Sequence, residues 1–325
     1  MKSRIIAIAT SAFLLVAGAL SAWTQTSPAG QAPLLPAPTT NPLQIALLRW
    51  YKANLTGTKF TVGSQPYGVC FDGANIWSAN YADSTVSKIG AADGANLGTF
   101  KVGTNPVGVV FDGANVWVSN SSANSVTKLR ASDGANLGTF GLGGAVWWMT
   151  FDGSNVWVPW GNNMVAKLRA SDGKNLGNFT VGNGPIAAAF DGSNIWITNA
   201  NDGTVTKMRA SDGTIIGTFA VGLGPLGISF DGTYMWIANR DAGTVSKLRA
   251  SDGTAVGTFA SPGAPYGVAF DGKNIWVSGT PYLLELQGTN GQIMTIVASG
   301  SAGIAFDGAN IWVGNGFGSD WLTKF

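Results

Sequence analysis

Past residue 55, apolar runs of a few residues alternate with clusters of Gly, Asp, Asn and Ser. In residues 108–142 the runs are GVVF (108–111), VWVSN (116–120), SVTKLR (125–130) and NLGTFGL (136–142). They are rich in β-branched and aromatic residues, and the turns DGAN and ASDG separate the first pair and the last pair. Short runs of this kind between turn signals predict four strands joined as one antiparallel sheet.

The same phrase recurs along the chain. FDGANIW begins at Phe71, FDGANVW at Phe111, FDGSNVW at Phe151, FDGSNIW at Phe190, FDGTYMW at Phe230, FDGKNIW at Phe270 and FDGANIW at Phe306, with spacings of 40, 40, 39, 40, 40 and 36 residues. A four-stranded unit repeated seven times at this period predicts an all-β fold, a seven-bladed β-propeller with four antiparallel strands per blade. The last copy supplies only three runs, GIAF (303–306), IWVGN (311–315) and WLTKF (321–325). Its fourth run has a counterpart in TGTKFTVG (56–63), which stands before the first copy and matches the GTFxVG phrase that ends the others. An N-terminal strand is therefore expected to complete the last blade and close the ring, removing free sheet edges.

Ahead of the repeats the pattern changes. Residues 1–22 combine Lys2 and Arg4 with an apolar run from Ile5 to Leu20 and small residues at Ala17, Ala19, Ser21 and Ala22, the makeup of a secretory signal peptide. Residues 23–41 read as a Pro-rich linker. Residues 42–54 read as a short helix, with Asn41 as N-cap and Leu43, Leu47 and Trp50 at helical spacing. The propeller is expected over 55–325. The signal implies a periplasmic or extracellular protein with no stable membrane insertion once it is cleaved.

Composition narrows the chemistry. There is no histidine, one cysteine (Cys70) and one glutamate (Glu285), which removes an imidazole base, Ser-His and Cys-His pairs and the usual zinc sites. A lone cysteine allows no internal disulfide. The other copies place Val110, Thr150, Ala189, Ser229, Ala269 and Ala305 where Cys70 stands, which marks it as a small packing residue. Removing Lys2 and Arg4 from 19 basic residues leaves 17, equal to the 17 acidic ones, so bulk charge gives no reason to expect nucleic acid. No cofactor and no metal site is expected.

Comparing the copies separates scaffold from variation. With strands A to D running outward from the axis, the A–B turns carry Asp72, Asp112, Asp152, Asp191, Asp231, Asp271 and Asp307, and the C–D turns carry Asp93, Asp133, Asp172, Asp212 and Asp252. Each precedes a glycine, as turn chemistry requires. Trp77, Trp117, Trp157, Trp196, Trp236, Trp276 and Trp312 fall at one position in strand B and are expected to pack between blades. Lys88, Lys128, Lys167, Lys207, Lys247 and Lys324 recur in strand C, with Glu285 in the sixth blade; they are expected to snorkel at the surface.

The copies disagree mainly on the face that carries the B–C and D–A loops. Just before strand A the variable residue is Tyr67, Val107, Trp147, Ile186, Leu226, Tyr266 or Ala302. Strand B ends on Asn80, Asn120, Asn199, Asn239 and Asn315, a series that Trp160 and Gly279 interrupt; Arg240 follows in one loop. The candidate ligand-binding residues are thus Tyr67, Asn80, Asn120, Trp147, Trp160, Asn199, Asn239, Arg240, Tyr266 and Asn315. Two readings stand: a mouth of aromatic platforms beside amides, suited to a sugar, a peptide or another polar organic ligand, or asparagines bonded to loop backbone and aromatics plugging the axis.

The phrases NIWVxN and TVTKLRASDGxxLGTFxVGxxPxGVAFDG resemble the bacterial propeller superfamily of YVTN-type and NHL-like repeats, which includes the streptogramin (virginiamycin B) lyases. The resemblance covers about residues 56–325 and implies a seven-bladed ring with its ligand near the axis on the loop face. Among the lyases, elimination depends on a histidine base with magnesium and acidic help. This chain has no histidine, and its Glu285 sits in strand C, so no catalytic residue carries over.

The expected function is that of an exported, non-enzymatic propeller binding an unidentified small molecule, glycan or protein on its B–C/D–A face. One alternative is a lyase- or lactonase-like enzyme using loop aspartates (Asp83, Asp202, Asp241, Asp320) and a divalent metal. The other is a structural cell-envelope or adhesion module.

Overall fold

The computed structural model describes residues 57–298, 302–316 and 318–325. The expected signal peptide, linker and short helix lie outside them. Among the described residues there is no helix, and the strands form seven four-stranded antiparallel sheets. In the first blade strand A is Pro66–Phe71, B is Asn75–Asn80, C is Thr85–Gly90 and D is Asn96–Lys101, paired in that order. The last blade runs Ile304–Phe306, Ile311–Gly314, Trp321–Lys324 and then Thr58–Thr61. Thr58 faces Lys324 and Thr61 faces Trp321, so the N-terminal strand is the outer strand that the last copy lacks.

The DGxNxW phrase builds the A–B turn and anchors the core in one device. One carboxylate oxygen of Asp72 accepts from the backbone N–H groups of Ala74 and Asn75 at 2.9 and 2.7 Å, while Gly73 takes a φ of 98°. The other oxygen accepts from the Trp77 indole N–H at 2.7 Å. The same indole bond recurs in every blade, from Asp112–Trp117 through Asp307–Trp312. Burial alone would raise the Asp72 carboxyl, but the Trp77 indole and the turn N–H groups outweigh it and hold the group below the usual carboxylate range. Asp112 and Asp307 are lowered by the same balance.

The recurrent lysines are a correction to the sequence reading. They do not snorkel to the surface: Lys88, Lys128, Lys167, Lys207 and Lys247 are buried. Lys88 Nζ donates to the carbonyls of Ala131 and Ser132 in the next blade at 2.7 and 3.2 Å, and sits 5.3 Å from the centre of its own Trp77 ring. Lys324 makes the equivalent bond to the Ala91 carbonyl at 2.8 Å, across the closure from the seventh blade to the first. A long stem through an apolar wedge delivers the charge to carbonyls left open at the end of the neighbour's strand C. Glu285 breaks the series and stays within its own blade, accepting from Asn274 Nδ2 and Thr295 Oγ1 at 2.9 and 2.7 Å.

A second interblade contact lies further out. Phe60 of the closing strand packs on Trp312, centroids 5.2 Å apart, and covers Gly94 of the first blade. Gly94 holds a φ of 74°, and a Cβ there would collide with the Phe60 ring. Phe100 stands in the same relation to Gly134, and Phe140 to Gly173.

Candidate functional site

The inner strands surround an axial channel of about 140 Å³. Every blade contributes one apolar residue to its wall: Val69, Val109, Met149, Ala188, Ile228, Val268 and Ile304. One level nearer the B–C/D–A face stand Gly68, Gly108, Ala187, Gly227, Gly267 and Gly303, whose small size lets neighbouring inner strands approach. A Cβ on Gly68 would strike the Val107 carbonyl, and one on Gly227 the Tyr266 carbonyl. The third blade alone breaks this ring, with Trp148.

Trp148 draws together side chains that lie far apart in sequence. Its ring stacks on Tyr67 at a centroid distance of 6.4 Å and meets Tyr266 edge-on at 5.3 Å. Tyr266 donates its hydroxyl to the Tyr67 hydroxyl at 3.3 Å, and Tyr81 lies 5.4 Å from Tyr67, ring to ring. The third blade adapts its backbone to the large residue. Its inner strand shrinks to Thr150–Phe151, and the Trp148 N–H turns to the Ile186 carbonyl of the fourth blade. The Trp148 indole N–H is buried and has no hydrogen-bond partner among the described residues.

Arg240 supplies the charge beside this cluster. Its Nε donates to Asp241 at 2.8 Å, and the side chain is half-exposed. Asp241 itself lies against Gly224, where a Cβ would collide with the carboxylate. Burial is the main cause that raises both the Tyr67 and the Tyr266 hydroxyl, and the nearby Arg240 charge works in the opposite direction on each.

The other candidates divide. Asn80, Asn120, Asn199 and Asn239 are fully buried and do not line an open mouth. Each amide bridges two hydroxyls of its own strand C, as Asn80 Nδ2 does to Thr85 and Ser87, both at 2.9 Å. Asn315 is half-buried and donates to the Trp321 carbonyl and Thr323 Oγ1, each at 2.9 Å. Trp160 replaces the asparagine of its blade and is half-buried on the core formed by Val146 and Val158. Gly143 makes room for its ring much as Gly103 does for Asn120. Tyr67 is buried within the aromatic cluster, whereas Tyr266 keeps partial exposure. Trp147 is half-buried and lies away from the axial cluster, beside a hollow between the third and fourth blades.

Sequence reasoning underrated Trp148, whose signal was its replacement of a glycine kept by most copies. Loop aspartates serve loop closure: Asp83 accepts from the Ser64 N–H, and Asp202 from the Asn183 N–H and side-chain amide. Among the described residues no three His, Cys, Asp or Glu side chains converge as a group able to hold a metal ion. Cys70 packs beside Trp77 and Val109, and burial pushes its thiol far above its ordinary pKa.

No protein-family model matches the chain, and no curated protein sequence matches it. Solved structures do. A streptogramin B lyase structure superposes with a TM-score of 0.71 at 17% identity, covering 83% of this chain and 96% of that one. The hydrazine synthase of Kuenenia stuttgartiensis superposes with a TM-score of 0.70 at 15% identity, covering 84% and 98%. At such identities the likeness is one of fold. In fold, the chain is a seven-bladed β-propeller, similar to the streptogramin B lyase structure.

Proposed function

We propose that this protein is an exported binding module rather than an enzyme, and that it takes a ligand or protein partner at the axial mouth of its B–C/D–A face. The observation that carries this reading is the meeting of Tyr67, Trp148 and Tyr266 from three different blades. Trp148 stands where the other blades carry glycine or alanine, and it meets two tyrosines from the variable position just before strand A, beside the single arginine in the described B–C loops. Concave sites with apolar walls and a few polar groups are the usual places for ligand binding.

The experiment is a thermal-shift screen of the mature protein against glycans, peptides and organic acids, since a ligand of the native state raises the melting temperature. A hit at the axis is lost in Trp148→Gly, which restores the residue carried by five other blades, and is weakened in Tyr266→Ala. Shifts that survive both substitutions would refute the axial reading. Export is tested by sequencing the N-terminus of protein recovered outside the cytoplasm, with a start near residue 23 expected.

A further inference from the structure

We propose that the hollow beside Trp147, between the third and fourth blades, is a subsite for a neutral carbohydrate, separate from the axial mouth. The hollow has a volume of about 670 Å³ and opens on the B–C/D–A face. One wall is the half-buried Trp147, where the other blades carry Val107, Ile186, Leu226, Ala302 or a tyrosine. Asn162 of the same blade, and Asn183, Asn201 and Asp202 from the side of the fourth, also line it and bring three amides and a carboxylate.

The local sequence keeps this space open. After strand B the third and fourth blades have Gly161 and Ala200, at the position where the first and fifth carry Tyr81 and Arg240. Gly161 takes a φ of 62° and Gly184 a φ of 66°, and a Cβ on Gly184 would collide with the Asn201 side chain. Asn183 is held by Asp202 through two bonds of 2.7 and 3.0 Å, which fixes that carboxylate in place. The Asn162 and Asn201 side chains are exposed, and among the described residues neither makes a side-chain hydrogen bond.

Such a set matches the two sides of a pyranose. The aliphatic C–H face of the ring lies against an indole, whose large flat surface is costly to leave in water. The equatorial hydroxyls need both donors and acceptors, which amides supply together, and the carboxylate accepts from one more hydroxyl. Among the described residues no lysine or arginine lines the hollow, and Asp202 is negative, so uronic acids and sulfated sugars are repelled. Burial is too slight to neutralise Asp202: the Asn183 backbone N–H, then its side chain, hold the carboxyl below its usual range.

The test is calorimetric titration of the full mature protein with chitobiose, cellobiose, maltose and, as a charged control, a heparin disaccharide. At least one neutral disaccharide is expected to bind, and Trp147→Ala to weaken it about tenfold or more. Ala200→Tyr provides a second variant that leaves Trp147 intact. It introduces the residue the first blade already tolerates and should block the hollow equally. Trp148→Gly should leave sugar affinity unchanged, which separates this subsite from the axial mouth. The proposal is overturned if no neutral disaccharide binds, if binding survives both Trp147→Ala and Ala200→Tyr, or if Trp148→Gly alone abolishes it. In the last case the axial reading stands and this one falls.

Discussion

Lys167 crosses the seam between two blades: its Nζ lies 2.7 Å from the Ala210 carbonyl oxygen and 5.1 Å from the centre of its own Trp157 ring. The ammonium also reaches the Ser211 carbonyl at 3.0 Å. Lys167→Met keeps the apolar stem but leaves these carbonyls without their donor. A loss of about 1–3 kcal/mol is expected, measured as a shift in the urea midpoint. Lys174→Met, a change at an exposed turn, is expected to shift it by less than about 0.5 kcal/mol.

The Asp–Trp bond should respond to the same approach. Asp112→Ala removes the acceptor for the Ala114 and Asn115 N–H groups and for the Trp117 indole together. A cost of about 2–3 kcal/mol is expected from the loss of several bonds, one of them to a buried indole. Asp112→Asn keeps one acceptor oxygen and should cost less. Indole fluorescence and the denaturation midpoint together report both effects.

Acid stability follows from those carboxylates. Asp72, Asp112 and Asp307 have lowered pKa values in the folded protein, so each contributes stability that is complete above the unfolded value of about 3.9 and lost as pH falls through the folded value. With no histidine in the chain, the melting temperature is expected to stay level between about pH 5 and 8 and to fall below about pH 4. Asp72→Asn should flatten the acid limb. A pronounced transition near pH 6 would contradict this account.

Ring closure can be tested through one side chain. Phe60 packs on Trp312 and covers Gly94, so Phe60→Ala loses contacts with both the seventh and the first blade. A loss of about 2 kcal/mol is expected for a half-buried phenylalanine. Lys59, whose Nζ lies over the Trp321 ring at 4.3 Å on the outer surface, should give less than about 1 kcal/mol when changed to alanine.

The fold was legible because its signals are local and repeated. Asp-Gly turns, a tryptophan five residues after each A–B aspartate and a spare outer-strand phrase near the N-terminus all point to one ring. The lysines misled because a strand residue alternating with apolar neighbours looks alike whether it faces water or the next blade. Only the three-dimensional seam reveals carbonyls such as that of Ala131 waiting for Nζ. The asparagines misled in a related way, since a polar residue at a strand end reads as a loop contact, yet Asn120 satisfies Ser125 and Thr127 inside its own sheet. The axial cluster was half-visible: Tyr67 and Tyr266 stood out among the variable residues, but their meeting with Trp148 depends on ring geometry that no linear spacing encodes.

The pairing of Thr58–Thr61 with Trp321–Lys324 also governs the order in which the molecule can assemble. Six blades draw their four strands from neighbouring sequence and can pair as soon as they are available. The seventh waits for segments from opposite ends of the described chain, and contacts of such long sequence separation form slowly. Until they meet, the first and last blades each present an apolar flank to water, so the final docking step sets how long the polypeptide remains vulnerable to self-association.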